Sequence, residues 1–325
     1  MEKYLSGKVA LITGSGQGVG RGIARYFARQ GAIVITNNTK PKQEGQVPEI
    51  LTGEAKERWL ALRGDAATVA KEIEEEGGKA EHCFCDVSDY GAVGQMIGDI
   101  VKKYGAIDIL VNNAAVTRAG ALQDLTERDW DLETVVKMKG TFNCMRHAVP
   151  YMKERKWGRV LNISSDAWVG LGNMAAYSAA NAGVVGFTKA CSMELDRFNI
   201  TCNAICPQAE SPGHIAGFAE VLATLKSAVG QSEMRPQHKA EVDSDHQDAI
   251  GLAPFLTYLC SDSGKDISGA VFSVCASGKI ALYGDPKVIS QVEHPQGMWT
   301  QEELVQTLPK SLLKEYENFA KISRY

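Results

Sequence analysis

Tyr177 stands in the stretch AAYSAANAGVVGF, residues 175 to 187, and a phenol exchanges protons only as readily as the charge beside it allows. A lysine four places after a tyrosine, one helical turn away, is a known way to build the acid and base of a hydride transfer. Here that place holds Asn181. A free phenol titrates near ~10, so acting as a base around neutral pH takes several kcal/mol of help. An ammonium about 4 Å away at an effective dielectric near 20 gives roughly 4 kcal/mol, or about three pKa units, and an amide cannot replace it. A second cluster able to do chemistry is the run VALITGSGQGVGRGIARYF, with Gly14, Gly18 and Gly20 between an apolar strand pattern and an amphipathic helix pattern. Glycines there let the backbone turn tightly and approach a pyrophosphate, and a helix N-terminus offers free amides and partial positive charge.

The elements that must position these residues follow from periodicity. Apolar, β-branched runs (KVALITG, AIVITNN, AEHCFCDV, IDILVNNAA, GRVLNISS, ITCNAICP and GAVFSVCA) alternate with helix-period stretches. That alternation predicts an α/β fold, a doubly wound, mostly parallel seven-stranded sheet of Rossmann type with helices on both faces. Residues 1–283 are expected to form a single dinucleotide-binding catalytic domain with insertions at about 39–60 and 211–247. The first insertion is polar and punctuated by proline and glycine, and the second follows the sixth strand, where ligands meet such a sheet. Residues 284–325 are expected to be a C-terminal helical extension packed on that domain. It opens with a capping box, Thr300 and Glu303, and continues after Pro309 as a second helix bearing Leu312, Leu313, Tyr316 and Phe319.

The spacing Thr13, Gly14, Gly18, Gly20 matches the TGxxxGxG signature, and the chain resembles the short-chain dehydrogenase/reductase family. Further matches follow in order: CDVSD with Asp86 and Val87, NNAA over Asn112 to Ala115, NISS, and Tyr177. In pattern it is most similar to the (R)-3-hydroxyacyl-CoA dehydrogenase domain of peroxisomal multifunctional enzymes and bacterial relatives. The resemblance implies a nicotinamide-dependent oxidoreductase interconverting a secondary alcohol and a ketone on a bulky, acyl-CoA-like substrate. It implies cofactor contacts at Gly14, Ser15, Gln17, Gly18, Val19, Gly20, Asn38, Asp86, Val87, Asn113, Ala114, Ala115, Tyr177, Pro207 and Ser211. An acidic residue at the end of the second strand would repel a 2′-phosphate; Asn38 supplies no such repulsion, and Lys40 and Lys42 are nearby. Gln17 stands where NADP-dependent members often carry a basic residue, so the reading leans to NAD with NADP left open.

Against the family pattern, the catalytic lysine position is Asn181 and the position of the supporting asparagine is Lys137, in KMKGTF. The two residue types have exchanged seats. The expected roles are polarisation of the substrate oxygen by Ser165, proton exchange by Tyr177, lowering of the phenol pKa by Lys137, and retention of ribose or water by Asn181. Ser164 is set aside because strand alternation points it to the other side. Two other readings stay open: a catalytically silent cofactor-binding subunit pairing with an active paralogue, and a lyase or dehydratase on the same fold.

A formal charge of −4 and a pI near 5.9 offer no basic field, so neither nucleic acid nor an anionic membrane is an expected partner. The partners expected are a small-molecule substrate such as a CoA thioester and further subunits, as a dimer or tetramer of this chain or with a paralogue. MEKYLSGKVALITG reaches a strand pattern too early for a secretory signal, and no apolar run approaches membrane-spanning length, so a cytoplasmic location is expected. The eight cysteines are read as reduced thiols. No metal site is expected: Cys83 and Cys85 should face opposite sides of a strand, and His214, His238 and His246 lie in a polar stretch without ligand spacing.

Overall fold

A computed structural model of the chain describes residues 3–40, 47–216, 219, 247–294 and 298–315. Lys42, His238, His246, Tyr316, Phe319 and most of the 211–247 insertion lie outside the described residues. The first strands, β1 (Val9–Ile12), β2 (Ile33–Asn38), β3 (Lys79–Phe84) and β4 (Ile109–Asn112), are joined by β5 (Gly158–Ile163), β6 (Ile200–Gln208) and β7 (Val271–Cys275). They lie parallel in the order β3-β2-β1-β4-β5-β6-β7. An eighth strand, β8 (Ile280–Leu282), runs antiparallel along β7. Seven strands were expected, and the eighth escapes a periodicity reading because it is three residues long and exposed on all of them. The sheet reverses its winding between β1 and β4, which places a crevice at the carboxyl ends of those strands.

Helices cover both faces. On one side lie α1 (Gly18–Arg29) and α3 (Ala66–Glu75), with α2 (Gly53–Ala61) preceding α3 inside the first insertion. Ile23, Phe27, Val69 and Ile73 pack there beneath Ala10, Ile12 and Val34. Arg21 bonds Glu72 at 3.0 Å through Nε, and Arg29 reaches Glu76 at 3.0 Å, tying α1 to α3. The helix α8 (Ala253–Cys260) adds Leu256 and Leu259 to the same core. The opposite face carries α4 (Tyr90–Tyr104), α5 (Glu127–Thr134), α6 (Gly140–Arg155) and α7 (Ala175–Leu195). There Val93, Ile97, Met145 and Met152 meet Leu11, Leu110 and Val160. Asp65, Asp89 and Thr126 each accept an amide hydrogen bond at the start of α3, α4 and α5, which fixes where those helices begin.

The described chain divides into two compact units, Met1–Tyr283 and Gly284–Tyr325. Within the second, α9 (Gln301–Thr307) opens with the reciprocal Thr300–Glu303 capping box, and the His294 ring packs edge-on to Trp299 with centroids 4.9 Å apart. After it the chain makes a 3-10 turn over Leu308–Lys310 and further turns to residue 315. The second helix expected after Pro309 is therefore not formed over 311–315. All eight cysteines are free thiols.

Because α1 both fills this core and begins at the glycine turn, Phe27→Ala, at a fully buried position, is expected to cost about 3–5 kcal/mol. Urea unfolding measures that cost, and cofactor titration on the folded fraction should show weakened binding in the same variant.

Candidate active site

The glycine turn forms a cradle at the end of β1. The residue before α1, Gln17, is extended and makes no side-chain cap, so the first amides of a twelve-residue helix remain open. Gly18 has φ +52°, and a β-carbon there would sit 2.8 Å from Ser211 Cβ; one on Gly20 would sit 2.6 Å from Asn113 Nδ2. Thr13 Oγ1 accepts from the amides of Asn113 (3.0 Å) and Ala114 (3.1 Å), while Asn113 Nδ2 donates to the carbonyls of Thr13 and Gly14 at 3.0 Å each. Ser15 Oγ accepts the Asn37 amide at 2.9 Å, locking the turn to β2. Uncapped amides at a turn whose glycines let neighbouring chain close in tightly fit a dinucleotide phosphate. A nicotinamide dinucleotide bound there would supply the hydride donor or acceptor.

Other expected contacts are placed as follows. Asn38 ends β2, but its Oδ1 already accepts the Ala66 amide at 2.6 Å, and its Nδ2 donates to the Thr39 carbonyl at 2.8 Å. Much of its capacity for a ribose is thus engaged in starting α3. Asp86 is exposed and its carboxylate accepts from the Ser88 amide and hydroxyl, while Val87 is buried. Val19 lies against the core of the α1 face. Ala115 is exposed, Lys40 is exposed, and Pro207 and Ser211 are half-buried at and beyond the end of β6. A neighbour not foreseen from the sequence is Asp65, whose Cα would lie 2.7 Å from a β-carbon on Gly16. Its side chain caps α3, and an Asp before a helical run was the signal available for it.

The strand β5 ends at Ile163, and the two serines that follow part company. Ser164 is buried and its Oγ donates to the Asn181 carbonyl on α7 at 3.1 Å. Ser165 caps a short 3-10 turn, Asp166–Val169, its Oγ accepting the Ala167 amide at 3.2 Å. Burial pushes the Tyr177 phenol up. Hydrogen bonds from Ser165 and Asn181 work in the other direction, and the charges of Glu133 and Cys206 add to the upward push. Asn181 is fully buried; its Nδ2 donates to the Tyr177 carbonyl at 2.8 Å and its Oδ1 has no partner among the described residues.

Lys137 lies in a five-residue π-helical turn, Val135–Lys139, between α5 and α6. It is 3% exposed, so the side chain runs inward and not to solvent. Burial pushes its ammonium down to about 8, against a smaller opposing influence from the Cys206 thiol on β6. Asn181 is thus bonded to the Tyr177 backbone, Ser165 is among the groups that act on the phenol, and Lys137 is buried in the turn between α5 and α6. One turn before Lys137, Glu133 is also buried, and sequence reasoning missed it: an acidic residue in DWDLETVV reads as a solvated helix face.

With this geometry in view, a profile of the short chain dehydrogenase family matches residues 58–214. The chain is 39% identical over 206 residues to the (2S)-[(R)-hydroxy(phenyl)methyl]succinyl-CoA dehydrogenase subunit BbsD of Thauera aromatica, covering 62% of this chain and 73% of that protein. It is 35% identical over 278 residues to the 3-oxoacyl-[acyl-carrier-protein] reductase FabG of Thermotoga maritima, covering 83% and 97%. To the peroxisomal multifunctional enzyme type 2 of Drosophila melanogaster it is 32% identical over 265 residues, spanning 38% of that protein. A crystal structure of a short chain dehydrogenase from Mycobacterium avium matches with a TM-score of 0.75 at 26% identity, covering 97% of this chain and 98% of that one.

The buried amine has a stability consequence. Its pKa falls from 10.5 unfolded to about 8 folded, so between those values the unfolded chain binds more protons and stability rises with pH. Below about 8 the whole penalty, on the order of 3 kcal/mol, is in force. Lys137→Met is expected to unfold at higher urea than wild type at pH 7 and to lose the upward slope of stability across the alkaline range.

Proposed function

The chain belongs to the short chain dehydrogenase family, and from that premise we propose that it interconverts a secondary alcohol and a ketone on an acyl thioester such as a 3-hydroxyacyl-CoA. NAD is the favoured cofactor and the cytoplasm the place of action. The observation that supports the reading is the Tyr177 phenol at the start of α7, with Ser165 and Asn181 among the groups that act on it and a buried ammonium, Lys137, in the turn between α5 and α6 that packs against α7. Two relatives support the thioester class by their names, one a succinyl-CoA dehydrogenase subunit and one a 3-oxoacyl-[acyl-carrier-protein] reductase.

In this reading Ser165 donates a hydrogen bond to the substrate oxygen and Tyr177 exchanges the proton of that oxygen. Lys137 supplies the positive charge that eases loss of the phenolic proton, a duty the uncharged Asn181 cannot discharge. Asn181 orders the start of α7 through the Tyr177 carbonyl and keeps its free Oδ1 for a ribose hydroxyl or a water. Cofactor contacts fall to the amides of Gly18, Val19 and Gly20, with Asn113, Ala114 and Ala115 along the β4 end.

A second reading has its own support. A shallow apolar groove on α6 and α7, lined by Val135, Met138, Phe142 and Phe187, suits a subunit contact, and one relative is itself named as a subunit. In that reading the chain holds cofactor silently beside an active paralogue.

The test is cofactor absorbance with purified protein, NAD or NADP, and 3-hydroxyacyl-CoA thioesters of graded length. Turnover with NAD preferred, a drop of at least ~100-fold in Tyr177→Phe and a comparable drop in Lys137→Ala are the expected results. Full activity in Lys137→Ala would remove that residue's role. Substrate consumption without absorbance change would point to a lyase or dehydratase. The double variant Lys137→Asn, Asn181→Lys separates the remaining readings: it retains activity if the positions are exchanged, and gains activity from none if the chain is silent.

A further inference from the structure

Glu133 is the buried titratable group that the reaction as described does not use. It sits in the last turn of α5, which packs against α7 and the π-helical turn, and it is 1% exposed. Its Oε1 accepts the backbone N–H of Arg118, in the loop between β4 and α5. Its Oε2 is buried and has no hydrogen-bond partner among the described residues. Such a carboxylate is costly to bury, and a helix face that needed only packing would carry an apolar residue there.

The groups around it are few. Asp129, one turn earlier on α5, repels it; the Arg118 guanidinium attracts it, although that group also lies 3.6 Å from Asp129. From α7 the group it acts on is Tyr177, and Lys137 follows one turn later in the π-helical turn. Burial is the largest influence and pushes the carboxyl up to about 6. A raised carboxyl pKa means that the charge is disfavoured in the fold, is absent below that value and appears as pH rises through it.

We propose that Glu133 is a positioning residue for Tyr177: one carboxyl oxygen ties the loop after β4 to α5, the other is buried without a partner among the described residues, and the group as a whole sets a negative charge on α5 against the phenol on α7. The charged form holds the phenolic proton in place, and the neutral form releases that restraint. The catalytic consequence rests on Tyr177 being the proton-exchanging group, but the charge coupling and the tether do not, and they are measured without turnover.

Full-length protein carrying 13Cζ-labelled tyrosine gives a Tyr177 resonance assigned by its loss in Tyr177→Phe. Titrated from about pH 5 to about 7.5, that resonance is expected to show a step with midpoint near 6 in wild type and no step in Glu133→Gln. Glutamine keeps an acceptor for the Arg118 amide, so hydrogen exchange at that amide should stay slow in Glu133→Gln and become fast in Glu133→Leu. If Glu133→Leu fails to fold, the glutamine variant alone decides the matter. A flat wild-type resonance, or a step that survives in Glu133→Gln, overturns the charge coupling. Undiminished turnover in Tyr177→Phe, with the wild-type step intact, would instead count against Tyr177 as the proton-exchanging group, leaving the two failures distinct.

Discussion

The constraint on which the site depends is the burial of an ammonium that makes no ion pair among the described residues. Lys137 is buried in the turn between α5 and α6, and desolvation pushes its ammonium down to about 8. A protein tolerates such a group where surrounding packing overdetermines it. Here both faces of the sheet are closed by apolar cores, and α5, α6 and α7 converge on the turn that carries the lysine. The π-helical form of that turn matters because it inserts an extra residue into the helical register. Without it, Lys137 would keep the angular relation to α6 that an uninterrupted helix imposes. Such turns recur at functional sites because they re-aim one side chain while the helix continues.

The other half of the site is held from a different direction. Asp166, next to Ser165, accepts hydrogen bonds from Gln208 Nε2 at 2.6 Å, Ser273 Oγ at 2.9 Å and Tyr283 Oη at 2.7 Å. These partners come from β6, β7 and the residue after β8. The turn that aims Ser165 is thus braced by three successive edges of the sheet, and the Trp168 ring packs edge-on against Tyr283 with centroids 5.3 Å apart. The small eighth strand has a purpose in this arrangement: it covers the edge of β7 and delivers Tyr283 to the carboxylate.

Much of this was legible in the sequence, and the remainder was hidden for identifiable reasons. The inner strands could be read because fully buried parallel strands are near-continuous apolar runs, and VALI, ILVN and GRVLNI show every residue buried. The glycine turn was legible because its conformational demands leave few residue choices. β8 was hidden by its brevity and exposure. Asn38 looked free for a ribose, yet its partner Ala66 lies 28 residues away, a distance no local pattern reports. The direction of Lys137 could not be read either, since period arguments assume an α-helix and the register changes at that turn. Glu133 was hidden by the soundest rule of all, that charged residues on helices face water.

Under the proposed roles, Glu133 and Lys137 act on one phenol with opposite signs from a single stretch of helix. Burial moves both toward neutrality, the acid up to about 6 and the amine down to about 8. Between those values both are charged, and their effects on Tyr177 oppose each other. Below the window the amine acts alone and eases departure of the phenolic proton; above it the carboxylate acts alone and retains that proton. Reduction of a ketone needs a phenol that still holds its proton to give, and oxidation of an alcohol needs one that has lost it. A site with a single fixed lysine biases this choice in one sense at every pH below the lysine's own titration. Two buried groups of opposite charge set the bias near balance around neutrality, where a reversible alcohol–ketone interconversion requires the phenol to serve in both directions.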